Sequence, residues 1–152
     1  MAVREVIQEG DERLRKICKP VKHFNKDLAE LLDDMYQTMV LKNGVGIASP
    51  QVGILLRAFV IDIEGLKMEF INPEITETSG SCVLPEGCLS VPNRSGNVER
   101  PTHIVVKAFT REGTPFEMVA NDYVARVICH ENDHLNGILY IDKLTKKKKS
   151  EN

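Results

Sequence analysis

No stretch of this 152-residue chain approaches the ~18–20 consecutive apolar residues that a bilayer-spanning helix needs. No sign of charge dominates either. Lys+Arg total 20 against 22 Asp+Glu, a net charge of −2, which excludes the basic footprint of a general nucleic-acid binder and leaves no DNA partner to expect. The opening residues, MAVREVIQEGDERLR, are charged and hold no apolar signal-peptide stretch, which points to a cytoplasmic protein with no membrane partner. No internal repeat, Pro/Gly/Ser-rich linker or compositional break divides the sequence, and its length is that of one ordinary domain. A single domain over 1–145 is therefore expected, with a flexible basic tail over 146–152 that carries the tetralysine Lys146–Lys149. Cysteine is sparse. In a reducing compartment Cys18, Cys82, Cys88 and Cys129 do not make a disulfide framework, which leaves each as ligand, nucleophile or plain core. What is present, 42% hydrophobic and 28% charged residues, is the composition of a globular protein.

Periodicity supplies the elements. Leu28, Leu31, Leu32, Met35, Tyr36 and Met39 make an apolar stripe at the helical repeat, with Asn25 as N-cap and Asn43-Gly44 as the stop. A glycine-rich loop from Gly44 to Gly53 follows. Leu55 to Ile63 is apolar on both faces and reads as a buried strand, paired with Lys67 to Ile71 and ended by Asn72-Pro73. Ile104 to Thr110 and Phe116 to Val119 read as a hairpin across Arg111–Thr114. A second helix runs from about Tyr123 to Leu135, with Asn121-Asp122 as its capping pair and Gly137 as its close. Strands in the middle with helices on either side indicate an α+β protein.

The residues able to do chemistry concentrate in that second helix, in His130-Glu131-Asn132-Asp133-His134. Positions i and i+4 lie one above the other on a helix, so both imidazoles can meet one metal ion, and Glu131 can act as general base toward a water on it. A catalytic site of this kind needs a third protein ligand and an open position. Cys88 is the best candidate. A free cysteine is most often a small buried hydrophobe, but the turn-rich neighbours Glu86, Gly87 and Ser90 point to a site loop. Cys18, Cys82 and Cys129 read as core. Gly44-Val45-Gly46 lacks the rest of a phosphate-binding loop; it is either a place where substrate backbone approaches closely or an ordinary helix-to-strand turn. Tyr123 and Val127 share a helical face with His130 and are either pocket or core.

Three blocks, GVGIASPQ at 44–51, EGCLS at 86–90 and HENDH at 130–134, resemble in order and spacing the three motifs of the peptide deformylases. Gly10–Arg15 and Arg100-Pro101 extend the resemblance over nearly the whole chain. It implies antiparallel β-sheets packed around the C-terminal-half helix that carries HExxH. It also implies a hydrolase that removes the N-formyl group from the initiator methionine of new polypeptides. Cys88, His130 and His134 would hold one divalent metal, Fe2+ in the cell with Zn2+, Ni2+ or Co2+ able to replace it. Glu131 would take the proton of the metal's water, and the Gln51 amide and Leu89 N–H would stabilise the oxyanion. Gly44, Val45, Gly46, Leu84, Gly87, Tyr123 and Val127 would contact the substrate, an N-formylmethionyl nascent peptide. The source implied is a bacterium or an organelle, and the lack of a transit peptide favours a bacterium. The tetralysine reads as a solvated tail, with transient ribosome contact as the alternative. Departures are Ser49 for the usual second alanine, Cys129 for the usual Gln before the first histidine, and Ser95, beside Arg94, where some relatives carry a substrate-holding arginine.

Two rival readings stand beside this one. A peptidase using HExxH on internal amides more often takes a third His or Glu downstream, and after Gly137 only Asp142 and Glu151 could ligate. A structural metal site would be closed by a fourth protein ligand.

Overall fold

The computed structural model describes residues 2–146. Helix α1 (Lys26–Leu41) is capped by the Asn25 side chain, which accepts the Leu28 N–H at 3.1 Å. It ends where Asn43 turns left-handed at φ 58°. Strands β1 (Gly46–Ala48), β2 (Ala58–Ile63), β3 (Leu66–Ser79), β6 (His103–Phe109) and β7 (Pro115–Asn121) form one antiparallel sheet in the order β1-β2-β3-β6-β7. Strands β4 (Cys82–Cys88) and β5 (Val91–Arg100) form a separate antiparallel hairpin. Helix α2 (Asp122–Leu135) follows β7 directly.

Strand β2 explains why its sequence is apolar on both faces. Ala58 and Val60 pack under α1 with Leu28, Leu31, Leu32, Met35 and Met39, while Phe59, Ile61 and Ile63 face the opposite cluster with Ala125, Ile128 and Leu135 of α2. The period-2 alternation thus sends successive side chains into two different cores. Phe59 also stacks on Phe70 of β3, centroids 4.8 Å apart, a pairing worth about 0.5–1.5 kcal/mol beyond its area. A third cluster, with Leu14, Val91, Val98, Leu139 and Tyr140, lies beneath the β4–β5 hairpin.

Four expectations are corrected. Asn72-Pro73 does not end the strand: β3 continues to Ser79 through a bulge between Ile71 and Glu74, which accommodates the proline's missing N–H. The Asn72 side chain there clamps the Val21 backbone, accepting its N–H at 2.8 Å and donating to its carbonyl at 3.0 Å. Leu55–Arg57 precede β2 and bond instead to Lys19. The 84–88 segment is strand up to Cys88 rather than loop, so the thiol stands at a strand end just before the β4–β5 turn. Asn121 precedes α2 but its side chain caps nothing; its Oδ1 lies 2.8 Å from His103 Nδ1. Gly137 closes α2 as expected, at φ 74°, and a Cβ there would meet the Arg15 carbonyl at 2.4 Å. Apart from Lys146, the basic tail lies outside the described residues. Among those residues no helix is long and apolar enough to cross a membrane.

Candidate active site and metal centre

Helix α2 presents His130 and His134 one turn apart, their ring centroids separated by 5.2 Å. Strand β4 delivers the Cys88 sulfur to the same place, 3.4 Å from His134 Nε2. One donor atom from each of the three residues lies within 4.8 Å of the others, and among the described residues this is the one such group of three or more His, Cys, Asp or Glu donors. Two imidazoles and a thiolate suit a borderline-soft cation such as iron or zinc. A further sign of fit is the Glu131 carboxyl, which lines the cleft beside this group with its Oε1 buried and without a hydrogen-bond partner.

Electrostatics sort the two histidines. Burial, reinforced by the neighbouring His130, pushes the His134 pKa well down and keeps that ring neutral, as a ligand requires. Burial works the same way on His130, but contacts with Cys88 and Glu86 outweigh it and push the pKa up to about 10. Its Nδ1 lies 2.9 Å from Glu86 Oε1, so Nε2 is left for the cluster. Glu131 is buried against the same group, and burial pushes its carboxyl up to about 7.

Gln51 comes in on the one-turn 3-10 helix Ser49–Val52, immediately after β1. Its Oε1 accepts the Ala48 N–H at 2.9 Å. Since that backbone group can only donate, the amide NH2 is turned toward Ser90 Oγ at 3.2 Å and Cys88 Sγ at 3.6 Å. These groups border a cleft of about 400 Å³ lined by Gly44, Val45, Gly46 and Gln51, by Pro85 to Leu89, and by Tyr123, Arg126, Val127, His130 and Glu131.

A family model described as polypeptide deformylase matches residues 3–150. The chain belongs to the polypeptide deformylase family. It is 52% identical to Peptide deformylase 1 of Clostridium acetobutylicum over 144 residues, covering 95% of this chain and 96% of that one. Among solved structures, the Thermotoga maritima peptide deformylase superposes with a TM-score of 0.94 at 41% identity, covering 95% of this chain and 99% of that one. A class I type b peptide deformylase from Acinetobacter baumannii, solved with Met-Ala-Ser bound, gives a TM-score of 0.91 at 38% identity over 94% of this chain and 99% of that one. Deformylases remove the formyl group from the N-terminus of nascent peptides, and the α+β architecture of antiparallel sheets around α2 is theirs.

Of the site residues read from the sequence, all but Leu84 and His134 border this cleft, and His134 lies with Cys88 and His130 in the candidate metal-binding group. Leu84 is half-buried on β4 and does not line the cleft. Tyr123 and Val45 stand at the rim, half and more than a third exposed, whereas Val127 is buried and belongs both to the cleft and to the core beneath it. Arg94 pairs with Glu9 at 3.0 Å, outside the lining.

Sequence reasoning missed the charged group behind the cleft. The buried Glu86 carboxylate accepts Arg100 Nε and Nη2, each at 2.9 Å, the Arg126 guanidinium, and His130 Nδ1. Arg100 reaches on to Asp133 at 2.6 Å, and Arg126 Nη2 donates to the Cys82 carbonyl at 2.7 Å. Burial disfavours the Glu86 charge, but the Arg100 and His130 bonds prevail and hold its pKa down to about 2. The available signal was Asp133, a second acid inside the HENDH helix, together with the Arg100-Pro101 pair.

Proposed function

We propose that this protein hydrolyses the formyl amide of N-formylmethionyl nascent peptides with a divalent cation held by Cys88, His130 and His134. The observation that carries the reading is the convergence of one sulfur and two ring nitrogens from β4 and α2 within 4.8 Å, beside a buried carboxyl whose Oε1 is unpaired. The Met-Ala-Ser bound to the A. baumannii relative supports a peptide beginning with methionine as the product that leaves the cleft. When bound, the cation supplies Lewis acidity and lowers the pKa of a water; the donor set suits Fe2+, with Zn2+, Ni2+ or Co2+ as substitutes.

The rest of the chemistry belongs to the chain. Glu131 takes a proton from the attacking water, the C–N bond of the formyl amide breaks, and Glu131 hands that proton to the departing nitrogen, leaving formate and a free amino terminus. A pKa pushed up to about 7 by burial suits a group that must both accept and donate. The Gln51 amide, its NH2 turned into the site by the Ala48 bond, donates to the formyl oxygen together with the Leu89 N–H. Glu86 fixes the His130 ring through Nδ1, and the two arginines hold Glu86. Val127, Val45 and Tyr123 form the methionine side of the cleft, with Leu84 supporting from behind. Gly44 and Gly87 let peptide backbone come close. The cytoplasm of a bacterium, at the emerging nascent chain, is the setting this chemistry implies, with the basic tail read as solvated and transient ribosome contact as its alternative.

The test is metal analysis of anaerobically prepared protein alongside formate release from formyl-Met-Ala-Ser. We expect close to one equivalent of metal and release of formate that a chelator abolishes. Turnover that survives metal removal, or amino acids released from unformylated peptide, would overturn the reading.

A further inference from the structure

We propose that Gly46 is a positioning residue for Glu131: the bare Cα on β1 is the wall that fixes the carboxylate. A Cβ built on Gly46 would lie 2.6 Å from Glu131 Oε2 and 3.0 Å from both Cδ and Cγ. The backbone does not require glycine here, because Gly46 is absent from the left-handed residues of the chain. Glu131 Oε1 has no hydrogen-bond partner, so that oxygen gives the carboxylate no fixed direction, and contact with β1 supplies it.

The neighbouring glycines differ. A Cβ on Gly44 would meet mainly the Leu89 Cδ1 methyl, at 3.0 Å, the movable end of a side chain; one on Gly87 would meet only the Arg94 carbonyl, at an ordinary 3.6 Å. Neither faces the base.

The wall cannot retreat. Strand β1 is locked to β2 by Gly46↔Ile61, Ile47↔Val60 and Ala48↔Phe59, and Ile47, Ala48 and Ile128 of α2 are fully buried. An added methyl therefore displaces the carboxylate, because its tip is the part able to move. A misplaced base slows the chemical step and leaves peptide binding alone, whereas a glycine kept only for substrate approach would show its loss in KM.

The inference rests on the proposed role of Glu131, and the experiment separates the two. Gly46→Ala is expected to lower kcat for formyl-Met-Ala-Ser by about 10²-fold, with KM within about 2-fold of wild type and metal content unchanged. A crystal structure of Gly46→Ala should show Glu131 Oε2 moved out to ordinary contact with the new methyl. A wild-type kcat, a loss confined to KM, or an unmoved carboxylate would overturn the proposal. If Gly46→Ala fails to accumulate, Gly46→Ala combined with Glu131→Ala should fold as Glu131→Ala does, and a double variant that still fails would overturn it as well. Undiminished turnover by Glu131→Gln would remove the base assignment, and the carboxylate displacement would still report on the contact.

Discussion

At the residue scale the site depends on which polar atoms have been left without protein partners. Glu131 Oε1 and His134 Nδ1 are buried and unpaired in a protein that satisfies Gln51, Glu86 and Arg126 with two or more contacts each. Asn132 Oδ1 and Tyr140 Oη are unpaired as well, and an unpaired buried polar atom costs stability; of the four, only Glu131 Oε1 belongs to a residue that lines the cleft, where a reacting group can use it. Glu131→Gln keeps the volume and removes the proton acceptor. We expect kcat to fall by about 10²–10⁴-fold with metal content unchanged, read by formate release beside metal analysis. Gln51→Ala should lower kcat by about 10²–10³-fold through the lost donor, with KM for the formyl peptide little altered. The histidine pair and Glu131 could be read from the chain because the helical repeat alone brings i and i+4 together. Leu84 could not be placed the same way: it stands on β4 just before the stretch from Pro85 onward that lines the cleft, and the strand itself was hidden by Pro85, Gly87 and the polar residues around them.

At the element scale, two ion-pair groups tie pieces of chain that are distant in sequence. Behind the cleft, the buried Arg100 on β5 joins the buried Glu86 on β4 to the half-buried Asp133 on α2. Breaking a buried pair leaves uncompensated charge, so Arg100→Met should cost about 3–5 kcal/mol, seen as a lower urea midpoint. On the other side, Asp34 of α1 accepts the Ala2 N–H at 2.7 Å and Arg4 Nε at 2.9 Å, strapping the N-terminal segment onto the helix. Burial disfavours its charge, yet these bonds prevail and hold the Asp34 pKa below its ordinary value. A depressed carboxyl pKa contributes stability that is full above the ordinary value of about 4 and is lost as pH falls through the folded value. Urea midpoints measured from pH 7 down to 3 should therefore fall less steeply below pH 4 in Asp34→Asn than in wild type. The variant should also begin about 1–3 kcal/mol lower at neutral pH. Neither network could be read from the sequence, because charged residues carry no periodic signal and their partners lie tens of positions away. The α1 stripe and the doubly apolar β2 were legible because burial imposes a repeat on them.

At the scale of the whole molecule, the cleft is a seam between separately built parts. The large sheet contributes β1 and the Gln51 turn from its edge, the β4–β5 hairpin contributes Cys88, and α2 contributes the histidines and Glu131. The hairpin rests on its own cluster with Leu14 and Tyr140, so contact between its core and the sheet's is indirect. A cation shared by Cys88 and the two histidines would join hairpin to helix at one more point, beside the Arg126–Glu86 and Arg100–Asp133 pairs that already cross the seam. Binding to the folded state alone stabilises by about 4 kcal/mol at a thousandfold excess over Kd, which for a chain of this size is on the order of 10 °C in Tm. Melting scans with chelator and with added zinc should differ by that order in wild type. In Cys88→Ser the serine oxygen is a poorer ligand, so the zinc-dependent rise should shrink to a small fraction of the wild-type one while the chelated proteins melt close together. An equal rise in both proteins would mean that the sulfur does not bridge the seam and that the third ligand comes from elsewhere in the chain.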